Sequence, residues 1–307
     1  MKRPSVLFWG MDGPFSAEPL LALLAAGIAV KAVIMPADED STGLRPLPAA
    51  PGPFSAGELP LTNPYLNPGV RQIAHLHQIP VYGVGKLTHA QVNAEVGDLL
   101  ADLQPDVACV ACFPQRIPAS LLSLPRRGFL NLHPSLLPDY RGPAPLFWIF
   151  QRGESRSGVT VHFMDAEFDT GDVARQAPVS LTDGITGPQA DHLLGQVGGR
   201  LLAETVHALA AGAQARHAQA AVGSYFPMPR AADFALQTNW SARRAYNFMR
   251  GTAEWGRLYT VSVDGENLEL TSALSFDPVA RLGRPILRDG GVINIQFSHG
   301  VLTALPA

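Results

Sequence analysis

The 307-residue chain has few charged residues and almost no lysine. Charged residues make up 16% of the sequence, against about 25% in an average soluble domain, and the formal net charge is −3. Lysine occurs only at positions 2, 31 and 86, and no Lys/Arg-rich run is present. Proteins that grip nucleic acid usually show such a run, because phosphate contacts supply much of their affinity. The charge pattern therefore disfavours a nucleic-acid partner, although a fold can still gather scattered arginines on one face.

Cysteine and long apolar runs are also scarce. Cys109 and Cys112 have the spacing of a Cys-x-x-Cys pair, but no second pair exists to complete a zinc site, so both are interpreted as buried structural thiols. No apolar run reaches the length of a membrane span, and the run at 6–9 is too short for a signal peptide. We therefore expect a cytoplasmic protein with no membrane contact and no metal. Four histidines lack partners at metal-ligand spacing and are interpreted as structural or surface residues: His75, His77, His89 and His162.

The order of predicted elements indicates an α/β fold. A strand at 6–9, a glycine turn, a helix at 15–26 and a strand at 29–35 form a βαβ unit. We predict a Rossmann-like, mostly parallel sheet with helices on both faces. Alternating strands after residue 259 predict a small C-terminal open β-barrel. The predicted domains are a catalytic domain at 1–213, a linker at 214–232 and the small barrel domain at 233–307.

Two loops in the first half of the chain are candidates for ligand binding. Residues 36–69 are rich in Pro, Gly, Ser and Ala and are too long for an ordinary connection, which predicts a mobile flap or an acceptor-binding loop. This loop begins with the acidic run 38–40. Gly10-x-x-Gly13 follows the first strand and is either a weak phosphate-binding signal or a tight strand-to-helix turn.

The chemically informative segment reads Asn131-Leu-His133-Pro-Ser135-Leu-Leu-Pro, and Asp169-Thr-Gly-Asp172 follows. Asp169 lies 36 residues after His133, which leaves enough chain for a helix and a returning strand. Asn131 and His133 stand two residues apart, so on an extended strand they point to the same face. An amide donor, an imidazole and a carboxylate together can support acyl transfer without a covalent nucleophile.

Each of the three residues has a predicted role. Asn131 would donate its amide N–H to the carbonyl oxygen of the transferred group. His133 would accept the proton of the attacking amine or, as a cation, stabilise the oxyanion; both roles stay open. Asp169 would fix the imidazole tautomer, raise its basicity or hold a proton-shuttling water.

These residues resemble the folate-dependent formyltransferases. The family pattern is Asn-x-His-x-Ser-Leu-Leu-Pro, then Arg-Gly, then Asp-Thr-Gly-Asp, and the chain matches it at 131–138, 141–142 and 169–172. The resemblance implies 10-formyltetrahydrofolate as formyl donor, a primary amine as acceptor and a small barrel after the catalytic domain. It also implies a cis bond between Leu137 and Pro138.

The resemblance further implies where ligands bind. The reduced pterin is expected in an apolar cleft lined by Cys112, Phe113, Ile117, Met164, Ala166 and Phe168. Ser135, Arg141, Gly10 and Asp12 are the expected substrate-binding residues. Arg141 would meet a phosphate or carboxylate of the ligand, or form a structural ion pair. Asp172 is expected to support its loop.

The acceptor is the least determined part of this prediction. Methionyl-tRNA formyltransferases carry basic residues in the loop near 36–69, whereas this chain is acidic at 38–40. We therefore expect a small-molecule amine, such as a nucleotide-linked amino sugar, with methionyl-tRNA as the alternative. Two readings rank lower. One is a formyltetrahydrofolate hydrolase, whose relatives carry an extra amino-terminal domain, and the other is a folate-binding protein without turnover.

Overall fold

The computed structural model describes residues 3–37, 41–48, 68–213 and 216–307. The described residues form two compact units. The first draws on Met1–Arg141, Gly158–Pro178 and Asp191–Gly223, and the second on Gly142–Ser157, Val179–Ala190 and Ser224–Ala307. The predicted domain boundaries at 213 and 233 stay a prediction. The acidic run 38–40, most of the predicted loop at 36–69 and linker positions 214 and 215 lie outside the described residues.

The larger sheet contains eight strands. They are β1 (Ser5–Gly10), β2 (Ala29–Pro36), β3 (Leu44–Pro46), β4 (Val81–Val84), β5 (Val107–Ala111), β6 (Phe129–His133), β7 (Arg156–Phe163) and β8 (Val173–Ser180). Their order is β3-β4-β2-β1-β5-β6-β7-β8. The run from β4 to β6 is parallel, whereas β3 and β7 are antiparallel to β4 and β6. This arrangement confirms the predicted Rossmann-like, mostly parallel sheet.

Seven α-helices accompany the strands in the part of the chain that the structure describes. They are α1 (Pro14–Ala25), α2 (Val70–Leu76), α3 (Ala90–Leu103), α4 (Ala119–Leu122), α5 (Pro145–Arg152), α6 (Gly187–Ala210) and α7 (Ala242–Gly251). In α3, Val92, Val96 and Leu100 recur every four residues and are buried in one apolar cluster, which explains why its pattern predicted a helix. Within the described part of the chain, no helix is both long and apolar enough to cross a bilayer.

The strand order fixes where a ligand can bind to the larger sheet. The strand order reverses at β1, because β2 lies on one side of it and β5 on the other. In open α/β sheets, ligands bind outside the carboxyl ends of the strands at this reversal point. The ends of β1, β5 and β6 lie next to one another there, and β6 ends at His133.

The second unit carries a six-stranded sheet. Its strands are β9 (Ala235–Leu236), β10 (Tyr259–Val263), β11 (Glu266–Asp277), β12 (Ile286–Asp289), β13 (Val292–Gln296) and β14 (Val301–Pro306), in the order β12-β13-β14-β11-β10-β9. The four strands predicted after residue 259 are present. The sequence missed β3, β9 and β12, which contain only two to four residues each and depend on partners that no local pattern reveals. Phe147, Phe234 and Phe248 pack ring against ring in this unit.

Candidate active site

Two antiparallel strands bring the polar side chains of the site together. β6 carries Asn131 and His133, and β7 pairs with it so that His162 lies opposite Asn131 and Thr160 lies opposite His133. Cross-strand partners on one face of a sheet lie within side-chain contact. Asp169 comes from the loop between β7 and β8. The residues of the predicted constellation are therefore assembled by strand register and one connecting loop.

The distances show one connected cluster. His133 Nδ1 lies 3.5 Å from Asp169 Oδ1. Asn131 Nδ2 lies 3.0 Å from His162 Nε2, and His162 Nε2 lies 3.7 Å from Asp169 Oδ1. His133, His162 and Asp169 are mostly shielded from solvent, with side chains 5%, 2% and 12% exposed. The structure thus brings Asn131, His133 and Asp169 to one place, and their chemical roles stay predictions.

His162 belongs to this cluster, although the sequence indicated only a structural or surface role. Its Nδ1 donates to the carbonyl oxygen of Phe163 at 3.0 Å, so in the neutral ring Nε2 accepts the hydrogen bond from Asn131. This contact orients the Asn131 amide, because the nitrogen must face the ring. The signal that identifies His162 is its register opposite Asn131, which depends on the antiparallel direction of β7 and is invisible in the sequence alone.

Burial decides the protonation of His133, and the hydrogen bond to Tyr140 decides its tautomer. Nε2 donates to the carbonyl oxygen of Tyr140 at 2.9 Å, since a carbonyl can only accept. Burial lowers the pKa of His133 below its ordinary value of 6.5; Asp169 and the Tyr140 bond oppose this shift, whereas His162 and Arg141 add to it. At neutral pH the ring is therefore neutral, and Nδ1 presents a lone pair on the side of Asp169.

The turn after β6 is fixed by buried hydrogen bonds. Thr160 Oγ1 donates to the Ser135 carbonyl at 2.7 Å and accepts from the Leu137 amide at 3.1 Å. The Ser135 hydroxyl donates to the Asp139 carbonyl at 2.6 Å, and Ser135 is 1% exposed. Leu137–Pro138 is a cis peptide, as the resemblance implied. Ser135 thus has a partner inside the turn, and its predicted contact with substrate stays a prediction.

The loop between β7 and β8 holds Asp169 in an uncommon backbone conformation. Asp169 has φ 57°, a left-handed region that few residues other than glycine adopt, and aspartate tolerates it better than most. Gly171 lies so close to the Phe163 carbonyl that a Cβ there would collide with it. The Asp172 carbonyl accepts from the Phe163 amide at 2.8 Å, and the supporting role of the Asp172 side chain stays a prediction. Positive φ at a non-glycine residue is a form of strain that often accompanies functional sites.

The six residues predicted to line a pterin cleft differ in exposure. Ile117 is buried in an apolar cluster, and Phe113 and Met164 pack against that cluster. Cys112, Ala166 and Phe168 are exposed, Phe168 at 54%. Arg116 donates to the Ala166 carbonyl and lies 5.7 Å from the centroid of the Phe168 ring. Phe168 is thus an exposed aromatic ring on this loop, whereas Ile117 lies in the core cluster, and contact with a pterin stays a prediction for all six residues.

Three further residues were predicted to contact the substrate. Gly10 is buried at the end of β1, and a Cβ there would approach the Ser16 hydroxyl to 3.0 Å. Asp12 is exposed and lies 3.8 Å from Arg71 Nε. Arg141 donates to the Gln219 side chain. Their contacts with substrate stay predictions.

The two cysteines have different environments. Cys109 is buried in β5, and burial raises the pKa of its thiol. The prediction of a buried thiol is wrong for Cys112, which is exposed. Cys112 follows the last residue of β5 with φ 57°, so the chain leaves the sheet at this point. Over residues 3–37, 41–48, 68–213 and 216–307, no group of three His, Cys, Asp or Glu side chains is placed to hold a metal ion.

Comparison with known sequences gives a consistent set of relatives. The family model described as formyl transferase matches residues 67–205. The methionyl-tRNA formyltransferase of Pelotomaculum thermopropionicum is 34% identical over 250 residues, which are 81% of this chain and 72% of that protein. The enzyme of the same name from Geobacter metallireducens is 35% identical over 204 residues, 66% of this chain and 64% of that protein. Eight relatives at 32–36% identity carry this name.

Comparison with solved structures agrees on the fold. An N-formyltransferase from Helicobacter canadensis, solved with folinic acid and dTDP-3-aminofucose, superposes with a TM-score of 0.67. The match covers 99% of both chains at 14% sequence identity. At this identity, the likeness concerns the fold and carries no information about the acceptor.

Proposed function

Because this chain belongs to the formyl transferase family of folate-dependent enzymes, we propose that it formylates the amino group of methionyl-tRNA. The enzyme is a 10-formyltetrahydrofolate-dependent N-formyltransferase. The observation that carries the choice of acceptor is the common name of the relatives at 32–36% identity. The clustering of Asn131, His133 and Asp169 supports turnover rather than folate binding alone, since all three predicted groups meet in one place.

The expectation of a small-molecule acceptor, such as a nucleotide-linked amino sugar, is wrong in view of these relatives. That expectation used the order of charges along the sequence. A fold can place arginines that are distant in sequence on one surface, so a missing basic run is weak information about tRNA.

The proposed reaction needs a proton acceptor, a donor to the formyl oxygen and a shielded site. A bond forms between the acceptor nitrogen and the formyl carbon, the bond from that carbon to N10 of the folate breaks, and one proton passes from the amine to N10. When bound, 10-formyltetrahydrofolate supplies the formyl group and N10 as leaving nitrogen. The protein must hold the proton in transit and stabilise the negative charge that develops on oxygen.

His133 is suited to hold the proton. Its neutral form is favoured by burial, and its Nδ1 lone pair lies 3.5 Å from a carboxylate oxygen of Asp169. A proton on Nδ1 turns the ring into a cation that this carboxylate stabilises. His133 thus acts first as base and then as a cation beside the reacting groups, which unites the two roles that the sequence left open.

Asn131 is suited to stabilise the oxyanion. One amide hydrogen of Asn131 goes to His162 Nε2, and the amide nitrogen carries a second hydrogen that can be donated to the formyl oxygen. Because His162 fixes the amide orientation before substrate binds, little reorganisation is required during the reaction. Donors that are preorganised in this way are usually the largest single contribution to catalysis.

The residues near the loop from 165 to 170 fit a folate. Asp165 Oδ1 accepts from the Glu167 amide at 3.0 Å and from the Thr170 hydroxyl at 2.8 Å, so the loop has a defined shape. The Phe168 ring is exposed beside it. A pterin can pair with backbone groups and stack on an aromatic ring, so polar side chains are not needed. We assign the pterin to this loop, with Phe113 and Met164 behind it.

Replacing Phe168 by alanine should raise KM for 10-formyltetrahydrofolate about 3- to 10-fold, because an aromatic contact is worth about 0.5–1.5 kcal/mol. The rate at saturating folate should change by less than about twofold, since the exposed Phe168 ring takes no part in the proposed proton transfer. Steady-state kinetics at varied folate measures both. Val279→Ala, at another exposed apolar position, is the control. An unchanged KM would remove Phe168 from the folate site.

The pH dependence of kcat/KM should show an acid limb with an apparent pKa below 6.5, because the neutral form of His133 is the active form in the free enzyme.

The free energy of unfolding should also depend on the protonation of His133. The folded state binds fewer protons than the unfolded state between the lowered pKa and 6.5, so the free energy of unfolding should fall as pH drops through this window. A rate profile and urea titrations from pH 7.5 to 5 test both. An acid limb at or above 6.5 contradicts the assignment.

The proposed acceptor is tested by incubating the purified chain with 10-formyltetrahydrofolate and methionyl-tRNA and measuring formyl-methionine. Parallel reactions contain a dTDP-linked amino sugar, or no acceptor with formate release as readout. We expect formylation of methionyl-tRNA, with KM for the tRNA rising steeply with salt because phosphate contacts are screened. Formylation of the sugar alone, or formate release alone, refutes the proposal.

Two further expectations, a reaction without a metal and a cytoplasmic location, are part of the same proposal. Every proton transfer in it is assigned to protein side chains, with no role for a metal. The cytoplasmic location is also proposed, since methionyl-tRNA is used in that compartment.

A further inference from the structure

A chain of hydrogen bonds that the proposed reaction does not use leads from Arg141 to the loop of Asp169. Arg141 Nε and Nη2 donate to Gln219 Oε1 at 3.2 and 2.7 Å. Gln219 Nε2 in turn donates to the carbonyl oxygens of Asp169 and Gly171, both at 2.8 Å. We propose that Gln219 is a positioning residue that holds the Asp169 carboxylate against His133. This inference rests on the proposed function.

The direction of the Gln219 amide is determined by chemistry. Arginine has only hydrogen-bond donors, so the oxygen of Gln219 must face Arg141. The nitrogen then faces the two backbone carbonyls, which can only accept. Glutamate in this place could accept from Arg141 but could not donate to the carbonyls. Leucine has a similar size and could make neither bond.

The loop needs such a clamp because its backbone is strained at Asp169, the residue whose carboxylate must stay beside His133. Asp169 has φ 57°, and Gly171 is packed directly against the Phe163 carbonyl. The two carbonyls that Gln219 binds lie on either side of Thr170. One side-chain amide therefore fixes both ends of the tight bend. A relaxed bend would move the carboxylate relative to His133, and displacements near 1 Å can cost about 100-fold in rate.

The segment that carries Gln219 is itself anchored near the loop. His217 and Val173 form an antiparallel bridge with amide-to-carbonyl bonds of 2.8 and 2.9 Å in the two directions. The Arg216 guanidinium lies 3.6 Å from the centroid of the Phe163 ring. Gly223 lies so close to the Pro138 carbonyl that a Cβ there would collide with it. The clamp thus connects the start of β8, the Asp169 loop and the turn after β6.

The test compares the wild type with Gln219→Leu, Gln219→Glu and the control Gln196→Leu. Gln196 is exposed on α6, and its side-chain amide bonds the ring of His192, a residue that the proposed reaction does not use. For each protein we would measure kcat and KM with methionyl-tRNA and 10-formyltetrahydrofolate. The pKa of His133 would be measured by NMR of labelled histidine, with His133→Gln to assign the signal. Thermal melting monitors folding.

We expect kcat to fall about 10- to 100-fold in both Gln219 variants, with KM for methionyl-tRNA within about threefold of wild type. In Gln219→Leu the pKa of His133 should fall further below its wild-type value, because Asp169 is the group that raises it most. A purely structural role would lower the melting temperature but leave the His133 signal in place. Gln196→Leu should match the wild type in all three readouts.

Near-normal kcat and an unshifted His133 pKa in a folded Gln219→Leu protein overturn the inference. If that variant does not fold, the kcat of Gln219→Glu decides, since this variant retains the bond to Arg141; a near-normal kcat there also overturns the inference. The NMR measurement needs no acceptor. If the wild type fails to formylate methionyl-tRNA, the proposed function fails, whereas the shift of the His133 pKa still decides whether Gln219 positions Asp169.

Discussion

Replacing His133 by glutamine should lower kcat about 10²- to 10⁴-fold, the usual contribution of a general acid–base residue. Glutamine can keep a hydrogen bond to the Tyr140 carbonyl through its amide nitrogen. It has no lone pair that can take a proton at neutral pH, so the proton lost by the amine has no acceptor beside Asp169. KM for the folate should change by less than about threefold, because the exposed groups near Phe168 are untouched.

His75→Gln is the matched control for this experiment. His75 is exposed on α2, so its replacement by glutamine makes the same chemical change outside the site. Both variants should melt cooperatively, which separates lost chemistry from lost folding. Turnover within fivefold of wild type in a folded His133→Gln protein would mean that another group carries the proton.

Replacing Asn131 by alanine should lower kcat about 10²- to 10³-fold, the typical cost of removing one oxyanion donor. The change also leaves His162 Nε2 without its donor at 3.0 Å, so some rearrangement of that ring is expected. The acid limb of the pH profile should persist, because His133 still takes the proton. Loss of rate with a retained acid limb therefore distinguishes oxyanion stabilisation from proton transfer.

Asn267→Ala serves as the control, since Asn267 is exposed on β11. The measurements are single-turnover formylation rates at saturating folate from pH 5.5 to 8. If the Asn131→Ala protein keeps the wild-type rate, the formyl oxygen is bound by other donors. If its acid limb disappears, Asn131 acts through His133 instead of on the oxyanion.

The sequence predicted much of the larger sheet because the information was local. The helix over α3 is visible in the four-residue spacing of Val92, Val96 and Leu100, and the run at 107–111 is apolar throughout, as a strand buried on both faces should be. Asn131 and His133 share a strand face by simple alternation. These features need no knowledge of the partner strands.

The sequence did not reveal what depends on strand direction and register. His162 faces Asn131 only because β7 runs antiparallel to β6 with this pairing, and nothing near His162 in the sequence encodes that. Gln219 lies 50 residues after Asp169 and reaches the loop through the bridge at His217. Burial was equally hard to foresee at Ile117, because an apolar residue is equally typical of a protein core and of an apolar ligand cleft.

The acceptor could not be derived from charge order. Two enzymes with the same fold and similar catalytic groups can act on acceptors of very different size, since the chemistry concerns only a primary amine and a formyl group. Selection between acceptors falls to surfaces away from the reacting atoms.

The pairing of β6 with β7 also bears on how such an enzyme can diverge. The oxyanion donor and the imidazole that orients it are fixed by a hydrogen-bonded ladder, whereas positions 166–168 lie on an exposed bend outside that ladder. Mutations in the bend can change the affinity for the folate that donates the formyl group and leave the residues of the β6–β7 ladder in place. A shift of one residue along β7, by contrast, would turn His162 to the opposite side of the sheet and undo the centre in a single step.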